Sequence, residues 1–405
     1  PLFFIDMALK KTLYKNVKME GHMNILFVSE YFWPEIGGLE RSTERLGEEL
    51  VRQGHSVKLV TRLLPNTKQH EIRNGIQVYR FNETDSTFTE KAESAGVLED
   101  IDVICLFGVG HDEKAQHWKP LFRKHVPVFI KIGTQGDIIN KNISPSNFYK
   151  FNGILCQNDA ILQEAITIGI PRDKCFRIRN GLNLRDWQKG LPWKHEAREK
   201  LGISEDAFVC SAIGRFVQRK NFPLIIFAFL KTLKQVGDPS KDIKLVLQGS
   251  DFSQHDGEER LIRRIVEQSG YDSSIIFVPP NEDTGITLRA SDVFITMGQR
   301  EGAPNIIIEA LASGCPVIAS NIPGHDVYIK NGQQGLLVDF SEDGLSSAIV
   351  GLYKRQELLD SMSRSAFTKS VLFDIADTSQ DYLRVFKKAL EDFNGIKIFG
   401  GDSNE

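Results

Sequence analysis

A run of short apolar segments, each followed by a stretch of helical period, sets the tightest limit on how this chain can fold. NILFVSE (24–30), HSVKLVTR (55–62), GIQVYRF (75–81), DVICLFG (102–108), PVFIKIG (127–133) and GILCQN (153–158) read as buried strands. A helix over 39–53, with Leu39, Leu46 and Leu50 on its apolar side, separates the first two. After KCFRIRNGL (174–182) the text becomes polar and rich in Trp, Lys and Glu, as an inter-domain connection would. A second set follows: FVCSAIG (208–214), IKLVLQG (243–249), SIIFVPP (274–280), DVFITMG (292–298) and PVIASN (316–321). Helices over 223–236, 258–269 and 304–313 fill the gaps, and 375–393 reads as a long closing helix. Strands alternating with helices imply parallel sheets covered by helices, the α/β class. A length of 405 residues allows two such domains. The expected division is 23–185, 186–375, and a final helix and tail over 376–405 that returns to the first domain.

Composition removes several classes of function. Lys plus Arg is 50 and Asp plus Glu is 53, so a dedicated nucleic-acid binder is not expected. The five cysteines (Cys105, Cys156, Cys175, Cys210, Cys315) form no CxxC pair and no zinc spacing, which fits a reducing, cytoplasmic setting. No apolar run approaches the ~20 residues that span a bilayer. Residues 1–22 place apolar residues before their lysines, the reverse of a signal peptide. They read as a leader or cloning remnant, or as a basic amphipathic helix giving peripheral contact at the inner membrane face.

Ligands of open α/β sheets bind outside the carboxyl ends of the strands, so the loops there carry the candidate chemistry. The densest is GQREGAPNIIIEALASGCPVIAS (298–320). Glu301 lies in the loop after a strand, Pro304 suits a first helical position, and Asn305 and Glu309 share one helix face. Free amides at that helix start suit phosphate, and the two carboxylates suit sugar hydroxyls. In SAIGRFVQRKNFPL (211–224), Arg215, Arg219 and Lys220 lie between a strand and a helix, where they would bind a diphosphate; the competing reading is a solvated charge run. Gly37-Gly38 after the first strand allows close backbone approach to a ligand, although the loop is neither GxGxxG nor a Walker sequence. The sole Asp-x-Asp, Asp100-Ile-Asp102, opens a strand, the wrong end for a metal site.

Together these features resemble glycosyltransferase family 4, retaining enzymes of GT-B fold. The resemblance rests on Gly37-Gly38, Arg215-x4-Lys220, Glu301-x7-Glu309, IRNGLN (178–183) and IPGHDVYIKNGQQGLLVD (322–339), and runs from about 24 to 390. It implies two Rossmann-like domains facing each other across a cleft, the first on the acceptor side and the second binding the donor. It implies that Arg215 and Lys220 bind the donor diphosphate, Glu309 the ribose, and Glu301 with the backbone from Gly302 through Ala303, Pro304, Asn305 and Ile306 the transferred sugar and phosphates. Gly37-Gly38 would lie against the phosphates from the opposing domain. No metal or other cofactor is expected. The expected partners are a nucleotide-diphosphate sugar, UDP-sugar favoured, and a saccharide or lipid-linked acceptor.

Two departures stand out. Gly133-Thr134 occupies the place of a frequent His-Gly, leaving His111 as a candidate replacement on the acceptor side, and Met297-Gly298 replaces a frequent Pro-Ser. An epimerase or hydrolase on the same fold, or a non-catalytic nucleotide-sugar-binding subunit, are the competing readings.

Overall fold

Apolar, β-branched runs without Gly or Pro favour strands buried on both faces. In the computed structural model they form two sheets. It describes residues 21–35, 37–82, 87–108, 118–134, 136–138, 145–237, 242–251, 257–280 and 283–399. Residues 1–20, on which most of the leader and membrane-contact expectation rests, and His111 lie outside the described residues. No described helix is long and apolar enough to cross a membrane.

The first sheet comprises β1 (Asn24–Ser29), β2 (Ser56–Arg62), β3 (His70–Arg73), β4 (Ile76–Phe81), β5 (Val103–Phe107), β6 (Val128–Ile132), β7 (Gly153–Cys156) and β8 (Cys175–Arg177). Their order is β3-β4-β2-β1-β5-β6-β7-β8, parallel except for β3, which runs antiparallel to β4. The second comprises β9 (Phe208–Ile213), β10 (Ile243–Gln248), β11 (Ile275–Val278), β12 (Val293–Thr296), β13 (Val317–Ser320) and β14 (Gly335–Val338), in the order β11-β10-β9-β12-β13-β14. In each half the chain reverses its direction of travel beside the first strand, between β1 and β5 and between β9 and β12. Such switch points open a crevice at the carboxyl ends. The architecture is therefore α/β with two Rossmann-like halves.

Four helices position the site: α1 (Gly38–Arg52), α2 (Phe222–Val236), α3 (Asn305–Ala312) and α4 (Ile375–Phe399). α1 buries Leu46 and Leu50 against Phe27, Val57 and Leu59 of its own sheet, and Glu40 in its first turn complements the helix dipole. α4 sets Ile375, Tyr382, Leu383 and Phe386 into that same cluster, with the Phe386 and Phe129 rings 5.0 Å apart. Each such fully buried side chain contributes roughly 1.5–3 kcal/mol relative to exposure. Gln53 Nε2 adds a hydrogen bond to Ser379 Oγ (2.6 Å). The closing helix thus packs on the first half.

The chain passes between the halves twice, and the two passages touch. Leu182 N–H donates to the Phe373 carbonyl and Ile375 N–H to the Leu182 carbonyl, each at 2.9 Å. Gly181 allows this approach, because a Cβ there would come within 2.6 Å of Ile375 Cα. Beyond this point Leu184 and Trp187 pack in the second half, against a cluster that includes Ile307 and Leu311.

Three strands escaped the sequence reading, among them the three-residue β8, too short to show a period. β3 is short, charged and at an edge, so it lacks the apolar alternation of a buried strand. β14 is partly exposed and follows glycine-rich text. Pro304 is corrected by one position. It is the extended N-cap residue of α3 (φ −66°, ψ 121°) and Asn305 is the first helical residue, a placement that demands no N–H from proline either. Asp102, of the Asp-x-Asp pair, accepts a hydrogen bond from Asn24 N–H (2.7 Å) and so fastens the start of β1.

Candidate active site

Gly214 follows the end of β9 and hands the chain to Arg215. Gln218–Lys220 forms one tight 3₁₀ turn, and Asn221 turns the chain through a left-handed conformation (φ 53°) into α2, where Pro223 fits the first turn. β12 likewise ends at Thr296 and leads through Met297–Pro304 into α3. Gln299 N–H donates to the Arg219 carbonyl (3.0 Å), so the two loops are tied side by side. Strand ends on one sheet therefore deliver the cations and Glu301 to one place.

The Glu301 carboxylate is nearly buried. Lys220 Nζ stands 2.6 Å and Arg219 Nη1 3.0 Å from its Oε1. Burial alone would raise its pKa, but Lys220 and Arg219 beside it hold it below the usual carboxylate range. Burial pushes Lys220 down, against the pull of Glu301. Eight residues on, Glu309 is 1% exposed and is held from the opposite half. Arg45 of α1 donates to its Oε1 (2.6 Å), Arg41 lies at 3.8 Å, and Thr284 Oγ1 donates to Oε2 (2.9 Å).

The first half closes against the turn before α3. Asn305 Nδ2 donates to the Gly38 carbonyl (2.6 Å), Asn158 Nδ2 to the Gly302 carbonyl (2.7 Å) and Asn180 Nδ2 to the Ala303 carbonyl (2.8 Å). Gly302 permits this contact, since a Cβ there would collide with the Gly133 carbonyl oxygen. Between the halves lies a cleft of about 670 Å³. Gly37, Gly38, Gly133 and Thr134 line it from the first half, and Arg215, Lys220, Glu301 to Ile306 and Glu309 from the second. Every candidate residue except His111 is thus brought to one cavity. A separate surface depression at Lys194, Arg198 and Asp292 has those charges already paired with one another.

Sequence reasoning missed several groups that line the cleft or hold the residues lining it. Arg41 and Arg45, four apart on α1 after the double glycine, share one face at a spacing legible in the text. Thr284 and Gln157, which line the cleft, and Asn158, which donates to the Gly302 carbonyl, carry no local signature and arrive there through the topology alone. Glu35 and Glu40 also line it, each with one buried carboxylate oxygen lacking a hydrogen-bond partner, and burial together with Glu40 raises the Glu35 pKa. Among the described residues no group of three or more His, Cys, Asp or Glu is placed to hold a metal.

Two facing Rossmann-like halves with charged loops converging between them define the GT-B class of sugar-transferring enzymes. Residues 36–186 match Glycosyltransferase Family 4 and residues 194–369 match Glycosyl transferases group 1. The chain belongs to glycosyltransferase family 4 and is a glycosyltransferase. It is 22% identical over 352 residues to N-acetyl-alpha-D-glucosaminyl L-malate synthase of Bacillus anthracis, an alignment covering 82% of this chain and 89% of that one. The same fold is seen in Anabaena Alr3699/HepE in complex with UDP-glucose, with a TM-score of 0.73 at 16% identity, covering 91% of this chain and 100% of that one. It is also seen in sucrose-phosphate synthase from Thermosynechococcus elongatus, with a TM-score of 0.74 at 17% identity, covering 92% and 100%.

Proposed function

We propose that this chain is a retaining, metal-independent glycosyltransferase that moves a sugar from a nucleotide-diphosphate sugar, a UDP-sugar in the first instance, to a hydroxyl of a saccharide or lipid-linked acceptor. One observation carries the reading: Arg215, Lys220 and the turn that starts at Glu301 line a single cleft, with Lys220 Nζ 2.6 Å from the Glu301 carboxylate. Support for the donor class comes from the UDP-glucose complex of the Anabaena relative in fold.

Breaking the anomeric C–O bond leaves negative charge on the departing diphosphate and positive charge on the sugar. Arg215 and Lys220 are placed to stabilise that anion, supplemented by the Ala303 and Asn305 amides at the start of α3. Glu301, ionised through its neighbours, accepts hydrogen bonds from hydroxyls of the transferred sugar, and Glu309 accepts them from the ribose. In same-face transfer the acceptor oxygen forms its bond to the anomeric carbon as the phosphate leaves, and its proton passes to a phosphate oxygen. No side-chain nucleophile is assigned. Removing one fixed donor of this kind costs roughly 3–4 kcal/mol, ~100–1,000-fold in rate. Transfer by Arg215→Ala and Lys220→Ala is therefore expected to fall by that factor with circular dichroism unchanged, and wild-type activity in EDTA is expected to persist. Near wild-type turnover by both variants would overturn the clamp. Product formed from donor alone would favour an epimerase or hydrolase.

A further inference from the structure

Lys131, at the end of β6, is 3% exposed and has no carboxylate among the described residues within ion-pair distance. Its ammonium donates to Asn180 Oδ1 (2.8 Å) and Ser42 Oγ (3.3 Å), and lies 5.5 Å from the centroid of the Phe107 ring. Burial pushes its pKa down to about 8. A buried cation with only neutral partners is costly and is poorly explained by stability alone.

Its partners show what it does. Ser42, Gln157 and Asn180 line the cleft, and Lys131 stands behind them. Asn180 Oδ1 accepts from both Lys131 and Gln157 Nε2 (2.7 Å). With its oxygen fixed between two donors, the amide has one orientation, and Nδ2 must face the Ala303 carbonyl. The neighbouring Gly302 carbonyl is held by Asn158. A trans peptide opposes its C=O and N–H, so that second grip also aims the Ala303 amide. We propose that Lys131 is a positioning residue for sugar transfer: it locks Asn180 in the orientation that holds the 301–305 turn in place when the halves close. The assignment rests on the reading that this turn receives the donor, and it identifies the group in the first half that sets the turn's geometry.

Hydrogen exchange on the full chain tests it without needing the natural acceptor. Lys131→Met removes an unpaired buried charge, so its Tm is expected to equal or exceed wild type. Exchange in peptides spanning 299–307 is expected to rise about tenfold, the shift that follows loss of one buried hydrogen bond to a charged group. Asn180→Ala should do the same, and the double variant should exceed neither single one, because both remove one linkage. Should Lys131→Met not fold, Asn180→Asp carries the test, since it keeps the Lys131 contact, now as an ion pair, and sets a carboxylate oxygen where the donor to Ala303 stood. Unchanged exchange over 299–307, additive effects of the two substitutions, or a fall in Tm with exchange raised throughout the chain would overturn the proposal. Failure of the clamp reading would look different: UDP would bind Lys220→Ala as it binds wild type, while the turn's response to Lys131→Met remained.

Discussion

Glu301 and Glu309 occupy one loop-and-helix segment, yet their charges are balanced from different halves of the molecule. Lys220 and Arg219, which face Glu301, come from its own half, on loops tied by the Gln299–Arg219 backbone hydrogen bond. Arg45 and Arg41, which face Glu309, come from α1 across the cleft. The first arrangement survives any opening of the cleft. The second exists only when the halves are together. A carboxylate neutralised within one domain is a fixed part of the site, whereas one neutralised across the cleft reports whether the site is assembled.

The largest effect should come from breaking the pair within one half. Lys220→Met leaves Glu301 buried with only Arg219, and breaking a buried pair costs roughly 3 kcal/mol. In wild type the lowered Glu301 pKa contributes stability that is complete above its unfolded value and is lost as pH falls through the folded one. In the variant only Arg219 is left to oppose burial, so the pKa is expected to rise. Its deficit should therefore be greatest near pH 7 and shrink toward pH 5, as urea denaturation at the two values would show. An equal deficit at both would mean that Lys220 does not set the charge of Glu301.

A smaller effect is expected where the halves meet. Gly302→Ala sets a methyl group against the Gly133 carbonyl, and overpacking of this kind typically costs about 1–3 kcal/mol. The penalty falls on closure, since each half keeps its own core. Small-angle scattering should show a larger radius of gyration with little change in Tm; an unchanged radius would mean the contact is easily relieved. Arg45→Met should have the mildest effect, about 1 kcal/mol, because Arg41 and Thr284 still face Glu309. Its signature is weaker closure, read as faster exchange at Gly38 and Asn305, with the stability of the second half unaltered.

The same contrast explains what the sequence made legible. Strands such as 24–30 and 208–214 announce themselves because burial on both faces demands unbroken apolar text. The clamp is legible because Arg215 to Lys220 and Glu301 to Glu309 each lie within one short stretch at a strand end. The contacts across the cleft were not. Asn158 and Asn180 meet Gly302 and Ala303 over 144 and 123 residues of chain, and a single sequence carries no trace of such pairs. Lys131 lies within the apolar segment 127–133, and its meaning depends on Ser42 and Asn180 arriving beside it. The edge strand β3 lacked the burial that makes a strand readable.

The most direct test of the account is a crystal structure of the protein grown with UDP in the presence of EDTA. The account predicts the pyrophosphate within hydrogen-bonding distance of Arg215 and Lys220, with its oxygens facing the amides that open α3. Phosphates bound elsewhere, or bound only when a divalent cation is restored, would contradict it.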